Sequence, residues 1–212
     1  MKVSAVVPAF NEAPRIGDVI KPLISSELVD QVIVVDDGSE DGTADIARKC
    51  GAEVLVLEHN SGKGEAVFSG IEKVRGEVLL LMDADLVGLT IFHIKALIDP
   101  VISDEADMTV GIFEDGGFIT DLAQNVSPNL SGQRAMKLSS LKGLNQLDAS
   151  GFGFETALTK YAKEHGFRVK KVSLENLSQV MKEEKIGPMK GFAYRMKMYK
   201  DILKTLIKNM NP

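Results

Sequence analysis

The sequence predicts an α/β fold with a mostly parallel central sheet flanked by helices. Short runs of apolar, largely β-branched residues recur without alternation, as in strands covered on both faces. Between these runs, apolar residues recur at helical spacing. The resulting strand–helix–strand–helix–strand–helix–strand order indicates parallel strands joined by crossover helices. With 212 residues, of which 44% are hydrophobic and 26% charged, the chain can form one sizeable globular domain.

The elements of the first half follow from these patterns in chain order. The first strand covers 2–7 and ends at Pro8, because proline cannot donate a ladder hydrogen bond. After a loop, Asn11 is placed to cap the first helix, and the second strand, 32–35, ends at a pair of aspartates. The elements predicted next are a helix over 44–50, a strand at 53–57, a helix through 66–74, a strand at 78–82, a helix at 91–102 and a strand at 108–113.

The pattern changes after about residue 118. A polar, glycine-containing stretch around 129–135 precedes a helix at 156–165 and a strand at 169–174. A basic amphipathic helix is predicted over 191–212, and the segment 181–212 holds eight Lys and Arg against three acidic residues. That helix is predicted to pack on the domain or in a homodimer, in preference to peripheral contact with an anionic membrane.

Charge and cysteine content limit the class of protein. The formal net charge of -5 argues against a nucleic-acid-binding protein. Cys50 is the single cysteine, which excludes a disulfide framework and fits the reducing cytoplasm. The sequence shows neither a signal peptide nor an apolar run of membrane-spanning length, so we expect a cytoplasmic protein.

Two strands end in carboxylates, at Asp36-Asp37 and at Asp83-Ala84-Asp85. In open α/β sheets, ligands bind at the carboxyl ends of strands. Alternate strand residues point the same way, so the second pair can approach one cation, and Mg²⁺ and Mn²⁺ prefer such oxygen ligands. The first pair can bind a ribose or a base, and Asp36 is favoured for this role, while a carboxylate that only closes its own turn is the alternative.

Lys63 is flanked by Gly62 and Gly64 at a predicted helix start. This placement suits an anionic oxygen, through the charge of the lysine and the nearby backbone N–H groups. The glycine spacing differs from that of a P-loop, which argues against an ATPase.

Four motifs together resemble the family 2 glycosyltransferases of the GT-A fold: Pro8-Ala9-Phe10-Asn11-Glu12, Val35-Asp36-Asp37-Gly38-Ser39-Glu40-Asp41-Gly42-Thr43, Asn60-Ser61-Gly62-Lys63-Gly64 and Asp83-Ala84-Asp85. The resemblance implies a nucleotide-sugar transferase. It implies that Asp83 and Asp85 serve as the metal motif, with Asp85 the favoured direct ligand. The residues implied to hold the nucleotide-sugar are Pro8, Ala9, Phe10, Asn11, Glu12, Asp36, Gly38, Ser39, Lys63, Asp83 and Ala84.

The second half resembles a narrower group, the short soluble enzymes similar to glucosyl-3-phosphoglycerate synthases. In that group a histidine often serves as a further metal ligand, and Gln179 stands at the corresponding position here. The resemblance therefore implies Gln179 as a third metal ligand that offers an amide oxygen in place of an imidazole nitrogen. The segments that carry the resemblance are Leu130-Ser131-Gly132-Gln133-Arg134-Ala135, Gly151-Phe152-Gly153-Phe154-Glu155 and 180–187.

Three residues are predicted to be catalytic: Asp85, Arg134 and Glu155. Arg134 is expected in a loop that faces the acceptor, where it can hold a phosphate or carboxylate bidentately, with a structural role as the alternative. Glu155 opens a helix and is a candidate for acceptor binding or catalysis, with helix capping as the alternative.

We therefore predict a glycosyltransferase that uses Mg²⁺ or Mn²⁺ to move a sugar, with glucose as first choice, from a UDP-sugar to a small-molecule acceptor. The predicted organisation is a single domain over 1–190, with a donor half at 1–117 and an acceptor half at 118–190, followed by the helix at 191–212. One alternative is a sugar-phosphate nucleotidyltransferase, which would need a Gly-rich, basic loop after the first strand. The other is a non-catalytic nucleotide-sugar-binding protein, which only Gln179 favours.

Overall fold

The fold is described for residues 1–113, 131–141 and 153–179 of a computed structural model. The chain divides into two compact units, Met1–Ser178 and Gln179–Pro212. The helices and strands are β1 (Val3–Ala9), α1 (Ile16–Ile24), β2 (Gln31–Asp36), α2 (Thr43–Lys49), β3 (Glu53–Val56), α3 (Lys63–Ile71), β4 (Val78–Leu81), β5 (Leu86–Val87), α4 (Ile91–Ile102), β6 (Met108–Phe113), β7 (Arg134–Lys137), a 3₁₀ helix (Leu138–Leu141), α5 (Gly153–Glu164), β8 (Val169–Leu174) and β9 (Ser178–Gln179).

The central sheet has seven strands in the order β3-β2-β1-β4-β7-β6-β8. The pairs β1–β2, β1–β4, β2–β3 and β6–β8 are parallel, whereas β7 runs antiparallel to both β4 and β6. The short strands β5 and β9 form a separate two-stranded sheet. The prediction of a mostly parallel α/β sheet is confirmed.

The adjacent strands β2, β1 and β4 are buried along their whole length, which explains why their sequences do not alternate. Odd-numbered residues of β1, such as Val3 and Val7, pack with α1, α2 and α4 in one hydrophobic cluster. Val6 points to the opposite face and packs with α3 and α5 in a second cluster. Helices therefore cover both faces of the sheet.

Pro8 corrects the predicted end of the first strand. It lies inside β1, paired in register with Val35. The N–H of Met82 donates to the carbonyl of Val6, and beyond that bond the β1–β4 ladder ends. Because backbone groups alternate sides along a strand, the missing N–H of Pro8 would face the same side as Val6, where no ladder bond is lost.

Two further predictions about the loops are wrong. Asn11 does not cap α1, whose N-cap residue is Arg15. The stretch around Arg134 is not a loop but the antiparallel strand β7. The predicted turn at 114–117 and the predicted helix at 191–212 lie outside the described residues, and the division at 117 stays a prediction. Within the described part of the chain, none of the helices combines the length and the apolar character that crossing a bilayer requires.

Candidate active site at the carboxyl edge of the sheet

The predicted donor-site residues gather at one edge of the sheet because their strands are parallel. Phe10 and Asn11 follow β1, and Asp36 ends β2. Lys63 begins α3 and Asp83 follows β4. The carboxyl ends of four adjacent parallel strands, in the order β3-β2-β1-β4, therefore supply the four motifs, as ligand binding at such an edge requires.

Asn11 ties the first loop to the loop after β2. Its backbone N–H donates to Ser39 Oγ at 2.9 Å, and its side-chain Oδ1 accepts the N–H of Glu40 at 3.0 Å. The N–H of Glu12 donates to Thr43 Oγ1 at 2.8 Å. Asn11 adopts a φ of 54°, a left-handed conformation that asparagine tolerates better than most residues. These bonds give Asn11 a role in joining the two loops.

The two aspartates after β2 have different partners. Both oxygens of Asp37 accept backbone N–H groups, from Ser61 at 2.7 Å and from Gly62 at 2.8 Å. Asp37 thus fixes the turn that precedes Lys63. Asp36 uses Oδ1 to accept the N–H of Ser39 at 2.7 Å. Of the two, Asp36 has the smaller share of its carboxylate committed within the protein, which agrees with the preference for it as the ligand.

Gly38 allows two loops to approach closely. Its φ is +76°, and an added Cβ would lie 2.9 Å from the backbone carbonyl carbon of His59. Near this turn, Phe10 exposes 43% of its surface. Pro8, Ala9 and Ala84 are buried, so their side chains pack beneath the surface at this edge of the sheet.

A cluster of charged side chains lies below this edge. Lys63 Nζ contacts Asp83 Oδ1 at 2.5 Å and also the carboxylate of Glu155. Gln133 Nε2 donates to Asp83 Oδ2 at 2.7 Å. Burial alone would lower the pKa of Lys63, but the carboxylates of Asp83 and Glu155 outweigh it and raise the pKa above its ordinary value. Lys63 is therefore a permanent cation at neutral pH.

Arg134 lies on the inner side of this cluster and is 1% exposed. Its Nε donates to the carbonyl of Ser131 at 2.8 Å and its Nη2 to Thr159 Oγ1 at 2.9 Å. Burial lowers the pKa of Arg134 to about 10, while Glu155 and Asp83 oppose the shift. Arg134 stays charged at neutral pH, but its burial contradicts the expected position in an open acceptor loop.

The cluster surrounds a small cavity between the sheet and the start of α5. Charged groups from both halves of the chain meet here. The contact between Lys63 and Glu155 could not be predicted from the sequence, because the two residues are far apart along the chain. The cavity is lined by Pro8, Lys63, Val67, Leu81, Met82, Asp83, Gly132, Arg134, Phe154 and Glu155.

The predicted metal ligands differ in how well they fit a cation. Each oxygen of Asp83 already accepts a hydrogen bond, from Lys63 and from Gln133, so direct coordination by Asp83 would displace one of these donors. Asp85 is half-buried and offers the hard carboxylate oxygens that Mg²⁺ and Mn²⁺ prefer. Gln179 begins the second compact unit, so its part in the metal site stays a prediction. The described segments contain no cluster of three or more His, Cys, Asp or Glu side chains suited to a metal ion.

Three site residues were not singled out from the sequence: Asp37, Gly132 and Gln133. Asp37 stands beside Asp36, and the sequence does not show which of the two binds a ligand and which closes a turn. Gly132 and Gln133 belong to the polar stretch 130–135 that carries part of the family resemblance, but only the antiparallel pairing of β7 with β4 places that stretch against Asp83. That pairing leaves no periodic signal in so short a strand.

The comparison with protein families agrees with the motifs. The model of the family described as "Glycosyl transferase family 2" matches residues 4–163. The uncharacterised protein MJ1222 of Methanocaldococcus jannaschii is 30% identical over 205 aligned residues, covering 83% of this chain and 82% of that protein.

Two further relatives are named glycosyltransferases. Glycosyltransferase AglJ of Haloferax volcanii is 33% identical over 184 residues, covering 78% of this chain and 60% of the relative. Glucosyl-3-phosphoglycerate synthase of Mycolicibacterium paratuberculosis is 34% identical over 113 residues, covering 49% of this chain and 34% of the relative. The matches to these two relatives span less than two thirds of their length.

Solved structures of glucosyl-3-phosphoglycerate synthase from Mycobacterium tuberculosis share the fold. The complex with Mn²⁺, UDP-glucose and phosphoglyceric acid superposes with a TM-score of 0.72 at 26% identity, covering 84% of this chain and 72% of that chain. The complex with Mg²⁺ and UDP superposes with a TM-score of 0.70 at 26% identity, covering 84% and 71% of the two chains.

Proposed function

Because this chain belongs to glycosyl transferase family 2, we propose that it transfers a sugar from a UDP-sugar to a small-molecule acceptor, with Mg²⁺ or Mn²⁺ as cofactor. Glucose is the first choice of sugar, since similar solved structures hold UDP-glucose with Mn²⁺. The observation that carries the proposal is the grouping of Asp36, Lys63 and Asp83 at one edge of the sheet.

Each of these residues has a role that follows from its surroundings. Asp36 ends β2 at this edge and is proposed to accept hydrogen bonds from the ribose or the uracil. Lys63 presents a permanent positive charge, which attracts the donor diphosphate. Asp83 holds Lys63 in place through their ion pair.

The metal would be held by Asp85, while Gln179 as a further ligand stays a prediction from the resemblance. A bound divalent cation supplies neutralisation of the negative charge that develops on the diphosphate leaving group. The chain's own residues position the donor so that the acceptor oxygen meets the anomeric carbon in a productive geometry. Asp83 contributes indirectly, by holding Lys63 in position. Its two oxygens accept hydrogen bonds from Lys63 Nζ and Gln133 Nε2.

Glu155 is proposed to orient Lys63 and not to act as a general base. Its carboxylate is in direct contact with the lysine ammonium, and only 6% of the surface of Glu155 is exposed. A base must have an oxygen within reach of the acceptor proton, and the ion pair directs this carboxylate toward Lys63 instead. Arg134, which is buried behind the cluster, is assigned a supporting role in place of acceptor binding.

The two alternative functions have less support. A nucleotidyltransferase would need a Gly-rich, basic loop after β1, where the chain has Phe10-Asn11-Glu12. A non-catalytic binder is favoured only by the glutamine at 179.

For the segment 191–212 we propose packing on the domain or in a homodimer, with peripheral membrane contact as the alternative. Co-sedimentation with anionic vesicles distinguishes the two.

Turnover tests the proposed function. UDP release from UDP-glucose would be measured with Mn²⁺ and a set of acceptors that includes 3-phosphoglycerate and glycerol 3-phosphate, for the wild type and for Asp85→Asn. We expect acceptor-stimulated UDP release that disappears in Asp85→Asn. The matched control Asp45→Asn changes an exposed aspartate of α2 and should release UDP at the wild-type rate. Equal release by wild type and Asp85→Asn would contradict the proposal.

A further inference from the structure

Gln133, the residue before β7, is a buried glutamine that faces the Asp83 carboxylate from the side opposite Lys63. It is 0% exposed, and its Nε2 lies 2.7 Å from Asp83 Oδ2. Lys63 Nζ occupies the other oxygen, Oδ1. The carboxylate is thus held from two directions, by α3 on one side and by the residue that precedes β7 on the other.

The orientation of the Gln133 amide is set by its neighbour Ser131. The Ser131 hydroxyl donates to Gln133 Oε1 at 3.1 Å and accepts the backbone N–H of Gln133 at 3.3 Å. Because Oε1 is engaged as an acceptor, the NH₂ group must be the end that points to Asp83. The carbonyl of Gln133 accepts the N–H of Gly111 at 2.8 Å, which anchors its backbone to β6.

Gly132 provides a second, independent observation. A Cβ added at Gly132 would lie 2.5 Å from both carboxylate oxygens of Asp83. Any side chain at this position would therefore collide with the carboxylate in its present place. The segment from Ser131 to Gln133 is shaped to receive Asp83 both by its hydrogen-bond donor and by its lack of a side chain.

We propose that Gln133 is a positioning residue that acts on donor binding through Asp83. A carboxylate with one donor on each oxygen cannot rotate toward a bound cation without breaking a charge-assisted hydrogen bond. Gln133 thereby keeps Asp83 as the counter-ion of Lys63 and leaves Asp85 to face the metal. The inference rests on the proposed function, because the bound group whose affinity Gln133 controls is the nucleoside diphosphate with its metal.

The test is a double-mutant cycle on the binding of UDP in the presence of Mn²⁺, measured by calorimetry. The four proteins are the wild type, Gln133→Leu, Asp83→Asn and the double variant. Gln133→Leu should weaken UDP binding by about tenfold, the size expected for one hydrogen bond to a charged group. In the Asp83→Asn background, Gln133→Leu should cause no further loss, because its effect passes through the missing carboxylate.

Two additional variants separate positioning from general stability. Gln31→Leu removes another buried glutamine of the same sheet, which bonds Ser4 and Glu53 at the amino ends of the strands. It should lower the melting temperature without changing UDP affinity. Ser131→Ala frees the Gln133 amide to flip while leaving the sheet intact, and it should produce a smaller loss of affinity that also disappears in Asp83→Asn.

Two results would overturn the inference. Wild-type affinity in Gln133→Leu would show that the amide does not matter, and additive losses in the double variant would show a structural effect independent of Asp83. Both outcomes require that the wild type binds UDP. A wild type that binds no UDP with Mn²⁺ would instead contradict the proposed function, and the positioning role with it.

Discussion

At the scale of single residues, Lys63 links the parts of the candidate site. Its ammonium lies between Asp83, which follows β4, and Glu155 in α5. The lysine side chain keeps 35% of its surface exposed, whereas both carboxylates are almost fully buried. It therefore joins the two carboxylates inside the protein while it still reaches the open edge where the diphosphate is proposed to bind.

Removing the charge of Lys63 leaves two buried carboxylates without their shared cation. We expect Lys63→Met to lower the free energy of unfolding by about 2–3 kcal/mol, somewhat less than the loss of about 3–5 kcal/mol for a fully buried broken pair, because the lysine is partly exposed. Urea denaturation measures the change.

The matched control for this prediction is Lys63→Met combined with Glu155→Gln, which removes one of the two unpaired charges. The double variant should recover part of the lost stability. Lys63→Met that unfolds at the same urea concentration as the wild type would contradict the role of the lysine in the cluster.

Gly38 is the second residue whose conformation matters. Its φ of +76° and the proximity of the His59 backbone leave no room for a side chain. We expect Gly38→Ala to destabilise the protein by about 1–3 kcal/mol through backbone strain and collision. Gly42→Ala is the matched control, because Gly42 has a similar φ of +88° but open space around its Cβ position. Thermal unfolding that shows equal losses for the two variants would contradict the steric part of the argument.

At the scale of elements, the strands and helices of the first half follow from local sequence patterns. Buried runs and helical spacing both act over short distances, so β2, α4 and β6 appear close to their predicted positions. The strand β7 could not be predicted in the same way. It has only four residues, and it is a strand because it pairs with β4 and β6, which lie far from it along the chain.

The β6–β8 edge supplies a prediction about pH. Arg168, the residue before β8, donates to both oxygens of Asp107, at 3.0 and 2.8 Å, and its backbone N–H adds a third bond. The hydrogen bonds from Arg168 lower the pKa of Asp107 to about 2. A carboxyl group with a depressed pKa in the folded state stabilises the protein above its unfolded pKa of about 3.9. That stability is lost as the pH falls through about 2.

We therefore expect Asp107→Asn to lower stability at pH 7 by about 1 kcal/mol, after allowance for solvent screening at this partly exposed site. The difference between wild type and variant should shrink as the pH falls from about 4 toward 2. Denaturant titrations at pH 7, 4 and 2.5 measure it. Asp45→Asn, at an exposed ion pair of α2, is the control and should show a smaller difference at pH 7. A constant difference for Asp107→Asn at all three pH values would contradict the assignment.

At the scale of the whole molecule, the topology explains why motifs spread over eighty residues form one site. The parallel strands β3, β2, β1 and β4 are neighbours in the sheet and end at the same edge. The four motifs could therefore be placed together from the sequence. The participation of Gln133 and Glu155 could not, because it depends on how the second half of the chain returns to the sheet and packs against α3.

The central claim is a metal-dependent site for a UDP-sugar, and calorimetric titration with UDP-glucose tests it most directly. Wild type, Asp85→Ala and the exposed-residue control Asp18→Ala would each be titrated with and without Mn²⁺. The account predicts that wild type and Asp18→Ala bind UDP-glucose only when Mn²⁺ is present, and that Asp85→Ala loses this binding. Metal-independent binding, binding that survives in Asp85→Ala, or no binding by the wild type would contradict it.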